Sequence, residues 1–173
     1  MTFRDDENWF HQRSCEVLSR LVREVEDVPG RIVEVGSWEG RSTLAIAHAT
    51  SRVVHAVDTW KGSPSDISGK LAAERDVYAT FAANIEHVPH VQPFRMDWRE
   101  YHATHDEQCA LVFLDAEHTY WEVVAQIDAF RPLMAEGGIM CGDDRTFPPV
   151  WQAVTDRLGD VNAEQAVWWW RNA

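Results

Sequence analysis

Three aspartates that follow apolar segments form the first candidate for chemistry in this chain. Asp115 follows the run CALVFL, and Asp143 and Asp144 follow the run that ends at Gly142. Three carboxylates that converge repel one another unless a cation lies among them. An all-oxygen cluster suits a hard ion, first Mg²⁺ and otherwise Mn²⁺ or Ca²⁺. The sequence therefore predicts a metal site at these aspartates, although Asp143 and Asp144 could instead cap the next helix while Asp115 alone touches a cofactor.

A histidine near the first of these aspartates suggests acid–base chemistry. His118 follows Asp115 by three residues, and an imidazole with an ordinary pKa can accept a proton near neutral pH. The predicted catalytic residues are therefore His118, as the candidate general base, and Asp115. An equal alternative is that His118 only orders the loop or surrounds the metal ligands. Tyr120 and Trp121 could line an acceptor pocket or pack the helix.

A glycine turn is the second candidate. The stretch RIVEVGSWEGRST, residues 31–43, has the pattern of a buried strand, a glycine loop and the start of an apolar helix. Glycines let a ligand come close to the backbone, and the unpaired N–H groups of a first helical turn point toward it. This order predicts an anion- or cofactor-binding turn.

The spacing of the glycines narrows the class of ligand. A dinucleotide fingerprint needs glycines where this loop has Trp38 and Arg41, and a phosphate-binding P-loop needs a longer spacing and a lysine. What is left, an acidic residue followed by Gly36-x-x-x-Gly40-x-Ser42, resembles the first motif of the class I S-adenosylmethionine-dependent methyltransferases. We therefore expect an adenosine-containing ligand at this turn.

Two further aspartates end predicted strands. Asp58 follows RVVHAV about twenty residues beyond the turn, where an acid can accept both ribose hydroxyls of an adenosine ligand; a solvated loop aspartate is the alternative. In the methyltransferase interpretation Asp97 accepts from the adenine amino group while Met96 or Trp98 packs against the ring. It could equally cap the following helix.

The elements that must position these residues alternate between strand and helix. Helical spacing is present over residues 9–25, 71–85, 119–130 and 148–158, and strand-like runs over 31–35, 52–57, 91–96, 109–114, 139–142 and 165–170. Residues 59–69 form a loop beside the expected ribose site and are a candidate lid. This order predicts a doubly wound, mostly parallel α/β sheet with helices on both faces. Ligands of such sheets lie beyond the carboxyl ends of the strands, where the glycine turn and the aspartates fall.

We predict one domain over residues 1–173. It contains a leading helix in residues 1–30, a cofactor- and metal-binding core in 31–144, and a C-terminal helix and strand in 145–173. The C-terminal segment has room for one convincing strand, which contains Trp168, Trp169 and Trp170. Because side chains alternate along a strand, the first and third should face one way and the second the other. Packing between helices explains them better than an aromatic cage.

Composition excludes some partners. The 173 residues contain 28 acidic and 16 basic side chains, a formal net charge of −12. Such a chain is a poor binder of nucleic acid or anionic membranes. Cys15, Cys109 and Cys141 are distant and odd in number, which indicates reduced thiols. With a charged N-terminus and no long apolar run, we expect a cytoplasmic protein; whether it forms a homo-oligomer is left open.

A longer resemblance covers most of residues 32–144. The run LVFLDAEHTYWEVVAQIDAFRPLMAEGGIMCGDD, with EVGSWEGRST and AVDTWKG, is similar to the small O-methyltransferase family that includes macrocin O-methyltransferase. It resembles the catechol and caffeoyl-CoA O-methyltransferases more distantly. Catechol-type enzymes usually have Asn at the position of Asp144. The family also usually has a hairpin of two strands after the fifth strand, where this C-terminal segment has room for one strand.

The resemblance implies a cofactor, a metal and a set of contacts. The cofactor is S-adenosylmethionine, and the metal is Mg²⁺ held by Asp115, Asp143 and Asp144. The predicted cofactor-binding residues are Glu34, Gly36, Ser37, Gly40, Ser42, Asp58, Trp60, Met96, Asp97, Trp98 and Asp115.

The sequence therefore predicts a Mg²⁺-assisted O-methyltransferase that acts on a hydroxylated small molecule such as a sugar or polyketide. An acceptor oxygen would attack the sulfonium methyl group in line, and the metal would lower the pKa of the hydroxyl. The alternative is a non-catalytic module that keeps the cofactor turn and holds a protein partner through its aromatic surface. A nucleotide-dependent oxidoreductase is disfavoured by Trp38.

Overall fold

Seven strands form one mixed sheet at the centre of the computed structural model, which describes residues 9–63 and 67–173. In chain order the strands are β1 (Arg31–Val35), β2 (Val54–Asp58), β3 (Val91–Arg95), β4 (Cys109–Leu114), β5 (Met134–Gly142), β6 (Asn162–Glu164) and β7 (Val167–Arg171). Their order across the sheet is β3-β2-β1-β4-β5-β7-β6. The first five pair in parallel, and β7 runs antiparallel to both neighbours.

Helices cover both faces of this sheet. They are α1 (Gln12–Glu24), α2 (Arg41–Ala47), α3 (Ile67–Glu74), α4 (Val77–Ile85), α5 (Trp98–Thr104), α6 (Tyr120–Phe130) and α7 (Pro148–Leu158). Leu18 of α1 and Phe81 of α4 belong to the core on one face. Ile127 of α6 and Val154 of α7 belong to the core on the other. The predicted doubly wound α/β fold is confirmed.

The most apolar strand lies between the two cores. Every residue of β4 is buried, and alternation places Phe113 in one core and Val112 in the other. A strand buried on both faces reads as a continuous apolar run. The strand order reverses between β1 and β4, and a doubly wound sheet opens a crevice at such a point.

The predicted helix over 71–85 is two helices. Asp76 has an extended backbone between α3 and α4, and its side chain accepts a hydrogen bond from the Ala79 N–H at 3.0 Å. This N-cap begins a new helix and interrupts the apolar periodicity. Within the predicted loop over 59–69, Ile67 already begins α3, and residues 64–66 lie outside the described residues.

The C-terminal segment forms two strands, so the expectation of a single strand is wrong. Residues 162–164 pair with 167–169 as a hairpin, and Gln165 in the turn has a positive φ of 56°. No glycine marks this turn, which is why the sequence pattern did not reveal it. The expected alternation is confirmed, because Trp168 and Trp170 belong to one core and Trp169 packs against the other.

Two other expectations concern the whole chain. Cys15, Cys109 and Cys141 are free thiols, as predicted. Across residues 9–63 and 67–173, no helix combines the length and the apolar character needed to cross a bilayer.

Strand β5 starts earlier than expected, at Met134 instead of Ile139.

Candidate active site

A cleft of about 1110 Å³ lies at the carboxyl ends of β1 to β5. Most of the predicted site residues line it, namely Gly36, Ser37, Ser42, Asp58, Met96, Asp97, Trp98, Asp115, His118, Asp143 and Asp144. We refer to the part beyond β1, β2 and β3 as the cofactor half and to the part beyond β4 and β5 as the acidic half. Glu34, Gly40 and Trp60 are predicted site residues that are not among the lining residues.

Asp58 holds the glycine loop in the cofactor half. Its Oδ2 accepts hydrogen bonds from the backbone N–H groups of Ser37 and Trp38, both at 2.8 Å, and its Oδ1 accepts one from Trp60 at 2.6 Å. Burial raises the pKa of Asp58, and these backbone donors counteract the rise. The backbone N–H of Thr59 acts in the same direction, and the Asp58 side chain also lines the cleft.

Gly36 brings the two halves of the cleft together. Its φ is +93°, and a side chain at this position would collide with the backbone of Asp115 and Ala116. The Gly36 N–H donates to the Val57 carbonyl at 2.9 Å, and the Asp115 N–H donates to the Val35 carbonyl at 2.8 Å. The tips of β1 and β4 therefore meet through their main chains, as only glycine allows here.

Glu34 supports the glycine loop from inside the sheet. Its side chain is fully buried and accepts hydrogen bonds from the hydroxyls of Ser37, at 2.7 Å, and Thr43. Burial raises the pKa of Glu34 to about 7, although the Ser42, Thr43 and Ser37 hydroxyls lower it. The structure thus places this carboxyl beneath the loop, and direct contact with a cofactor stays a prediction.

Gly40 and Trp60 face the helices behind the cleft. Gly40 has a φ of +89°, and a side chain there would meet the Phe81 ring. Trp60 is buried, with its ring centroid 4.8 Å from that of Tyr78 and 4.7 Å from that of Phe81. The Trp60 indole N–H donates to the Trp38 carbonyl at 2.8 Å. Both residues therefore fix the shape of the loop from its outer side.

Asp97 has one of the two roles considered from the sequence, that of a helix cap, and its contact with adenine stays a prediction. It is the N-cap of α5, where its Oδ1 accepts from the Arg99 N–H at 2.8 Å, and it also lines the cleft. Met96 and Trp98 lie on either side of it in the lining. The Arg99 guanidinium stands 4.3 Å from the Trp98 ring centroid. A planar base could pack against this segment while Asp97 accepts a hydrogen bond from the amino group of the base.

The acidic half contains a compact group of possible metal ligands. One atom each of Asp115, His118 and Asp144 lies within 4.8 Å of the others. His118 Nε2 is 2.9 Å from Asp144 Oδ2 and 3.9 Å from Asp115 Oδ1. Among the residues described, Asp143 does not complete this group. It lies beside it, and its buried Oδ1 has no hydrogen-bond partner in the described part of the chain.

The charges of this group depend on one another. Burial raises the pKa of Asp143, and the neighbouring charges of Asp115 and Asp144 raise it further. Burial also raises the pKa of Asp115, against the effect of His118. For His118, burial lowers the pKa, but hydrogen bonds to Asp115 and Asp144 outweigh it and raise the pKa to about 11. The pKa of His118 is therefore raised above that of the ordinary imidazole expected from the sequence.

A divalent cation fits these donors. Two carboxylates and an imidazole are common ligands of such ions, and the unpartnered Asp143 Oδ1 supplies a further oxygen beside them. A cation here would relieve the repulsion that raises the carboxyl pKa values and would release His118 from its charged form. The roles of His118 and Asp143 at such an ion stay predictions.

Aromatic and cationic side chains around the cleft were not singled out from the sequence. Trp9 and Phe147 are about half exposed and line the cleft, together with Arg41 and Lys61. The Phe147 ring stands edge-on to His118 at 6.4 Å between centroids. Only the tertiary fold brings the segments before α1 and α7 to this edge, and no local pattern marks them.

Tyr120 and Trp121 are not among the residues that line the cleft. The Tyr120 hydroxyl donates to Asp156 of α7 at 3.0 Å, and this contact agrees with the helix-packing alternative. Trp121 is 73% exposed, so it neither packs the helix closely nor lines the acceptor side.

A sequence-family comparison matches this region of the chain. The family model described as "Methyltransferase domain" matches residues 33–145. This match runs from β1 to the residues after β5 and therefore includes the ends of all five parallel strands. A comparison with curated proteins returned no match.

Solved structures share the fold over nearly the whole chain. The O-methyltransferase NovP is 18% identical with a TM-score of 0.67, over 91% of this chain and 78% of NovP. The calicheamicin methyltransferase CalS11 is 20% identical with a TM-score of 0.67, over 93% and 80%. An O-methyltransferase from Bacillus cereus, in complex with SAH, is 16% identical with a TM-score of 0.69, over 94% and 82%.

Proposed function

This chain belongs to the methyltransferase domain family, and on that premise we propose that it transfers a methyl group from S-adenosylmethionine to a hydroxyl of a small molecule with the help of a divalent cation, Mg²⁺ first. One observation carries the proposal. A single cleft contains the loop held by Asp58 and, next to it, the group of Asp115, His118 and Asp144. Donor and acceptor would therefore meet where the two halves touch.

In the cofactor half, the adenosine part would lie across the ends of β1, β2 and β3. Asp58 lines the cleft where the ribose hydroxyls would lie, and Asp97 would accept a hydrogen bond from the adenine amino group. Ser37 and Ser42 line the same part of the cleft and would contact the rest of the cofactor. This assignment rests on the position of these residues in the lining and on their hydrogen-bonding capacity.

In the acidic half, Asp115 and Asp144 would hold the cation, with Asp143 beside them. When bound, the sulfonium supplies an electrophilic methyl group and the cation supplies a lowered pKa for the acceptor hydroxyl. Asp115 and Asp144 orient the acceptor oxygen toward the cofactor half. His118 Nε2 is the atom at which we propose that the proton is taken up, once its carboxylate neighbours are neutralised. Fixed positions for donor and acceptor supply much of the rate of such a displacement.

The acceptor that we propose is a hydroxyl of a sugar or of a polyketide-like metabolite. One structural neighbour of this chain, CalS11, is described as a TDP-rhamnose 3'-O-methyltransferase. Half-exposed rings of Trp9 and Phe147 at the rim would pack against the apolar face of such an acceptor. The free thiols agree with a cytoplasmic location, which we also propose.

Calorimetry and a turnover assay test the proposal. We expect S-adenosylhomocysteine to bind the wild-type protein, and we expect methyl transfer to a hydroxylated metabolite extract to stop on chelation and to return with Mg²⁺. Binding without any transfer would favour a non-catalytic module. Transfer that survives chelation would remove the cation from the proposal but leave the methyltransferase.

A further inference from the structure

The acidic half depends on a backbone that needs outside support. Asp144 has a positive φ of 59°, a conformation that is unfavourable for a residue with a side chain and persists where its surroundings hold it. Within the acidic loop (residues 143–147), the Phe147 N–H donates to the Asp144 carbonyl at 2.8 Å. This bond closes the loop but does not tie it to the sheet.

Trp168 of β7 ties the loop to the sheet. Its indole N–H donates to the Asp143 backbone carbonyl at 2.9 Å, in a buried hydrogen bond between residues 25 positions apart. The Trp168 side chain is 1% exposed. Its six-membered ring also lies directly on Gly142, where a side chain would come within 2.5 Å of it. Gly142 and Trp168 are register partners in the β5–β7 ladder.

The hairpin turn holds the other side of the loop. The Arg145 N–H donates to the Ala166 carbonyl at 3.0 Å, and its guanidinium donates to the Gln165 carbonyl at 3.4 Å. Trp168 does not line the large cleft. It lines a small pocket behind Asp115, His118 and Asp144, so it reaches the acidic group from the side opposite to a substrate.

We propose that Trp168 is a positioning residue of the acidic half: its indole N–H fixes the Asp143–Asp144 backbone so that Asp144 meets His118 and Asp115. The inference rests on the proposed function, because it concerns the geometry of the proposed cation site. It assigns to the C-terminal hairpin a role in that site in addition to its place at the edge of the sheet.

Replacement of Trp168 by Phe tests this, because phenylalanine keeps a ring and loses the N–H donor. We expect Trp168→Phe to weaken Mn²⁺ binding, measured by calorimetry, by roughly 10- to 100-fold, the range found when partners of metal ligands are removed. S-Adenosylhomocysteine affinity should stay within about twofold, since Trp168 is not among the residues that line the cleft. A purely structural role would instead weaken both ligands together or neither.

Trp170→Phe is the matched control. Trp170 lies on the same strand and in the same core, next to Arg131, and makes no hydrogen bond to the acidic loop among the described residues. We expect this variant to bind Mn²⁺ like the wild type. If Trp168→Phe does not fold, Gly142→Ala displaces the same ring and should weaken Mn²⁺ binding in the same way.

An NMR measurement supplies a signal that does not depend on activity. In ¹⁵N-tryptophan-labelled protein, the indole resonance that Trp168→Phe removes should shift when Mg²⁺ is added and stay in place when S-adenosylhomocysteine is added. Equal Mn²⁺ affinity in Trp168→Phe and wild type would overturn the inference and leave the proposed function intact. A wild-type protein that binds no Mn²⁺ would overturn both the inference and the proposed cation site.

Discussion

The two halves of the cleft use the same residue type in opposite electrostatic ways. In the cofactor half, Asp58 is surrounded by backbone N–H donors from the loop that it holds. In the acidic half, Asp115 and Asp144 face each other across His118, and Asp143 beside them keeps a buried oxygen without a partner in the described structure. A carboxylate that the protein itself satisfies organises a loop, whereas carboxylates that it leaves under-compensated favour a cation.

The two halves of the cleft also differ in what holds their shape and in what balances their charge. Asp58 fixes three backbone positions and so prepares the shape of the cofactor half before a ligand arrives. The acidic half is fixed from behind by the hairpin, and its charge is left for the ligand to balance. Substitutions that affect one half and spare the other are therefore the sharpest tests.

The largest effect should come from Asp144→Ala. It removes a proposed ligand and the nearest partner of His118, so we expect Mn²⁺ affinity to fall by more than about 100-fold, since even outer partners of metal ligands are worth 10- to 100-fold. S-Adenosylhomocysteine affinity should be unchanged. Calorimetric titrations of both ligands measure this, with the exposed Asp160→Ala as control. Unaltered Mn²⁺ binding in Asp144→Ala would show that the acidic half holds no cation.

Asp58→Ala should produce the opposite pattern. Hydrogen bonds to a charged group are worth about 1.5–3 kcal/mol, so we expect S-adenosylhomocysteine affinity to fall by roughly 10- to 100-fold. Mn²⁺ affinity should stay close to that of the wild type. Asp58→Asn keeps one acceptor oxygen, so its S-adenosylhomocysteine affinity should lie between those of the wild type and Asp58→Ala. If Asp58→Ala weakened both ligands equally, the two halves would not be separable and the comparison would be wrong.

The last prediction concerns the stability of the protein and leaves ligand affinity aside. It involves Glu34, a buried carboxyl beneath the cofactor half. Because its pKa is raised from 4.5 to about 7, the folded state holds a proton that the unfolded state releases. This contribution to the free energy of unfolding is complete below pH 4.5 and is lost as the pH rises through about 7. We expect it to amount to about 3 kcal/mol, since one pKa unit corresponds to about 1.4 kcal/mol and the pKa rises by about 2.5 units.

Glu34→Gln removes this titration and keeps an acceptor for the hydroxyls. Urea unfolding of both proteins across this pH range should show the wild type losing stability relative to Glu34→Gln as the pH rises. A constant difference between the two curves would mean that the pKa of Glu34 is the same in the folded and unfolded states. Asp76→Asn, at an exposed helix cap, serves as a control in the same assay.

Sequence reasoning located the strand ends well, because both the strands and the rule that places ligands depend on local runs of residues. The runs before Gly36, Asp58 and Asp115 are short and apolar, and parallel strands bring their ends to one edge. The lining of the cleft therefore agrees with most of the predicted residues. The site assignments themselves are still predictions.

The rest depends on contacts between distant residues. The ordinary pKa assumed for His118 was wrong because two carboxylates surround it in space, and only one of them is near in sequence. The hydroxyls from the loop and from α2 that donate to Glu34 were also not predicted, and its contact with the cofactor stays a prediction. The bond from Trp168 to Asp143 spans 25 positions and leaves no local pattern.

The absence of a side chain at Gly36 sets the distance between the methyl donor and the acceptor. Because the main chains of β1 and β4 touch there, the floor under the methyl donor and the floor under the acceptor are one continuous surface. A single added methyl group would drive them apart while leaving each binding surface intact. Such a protein would still take up both reactants and yet hold them too far apart to react.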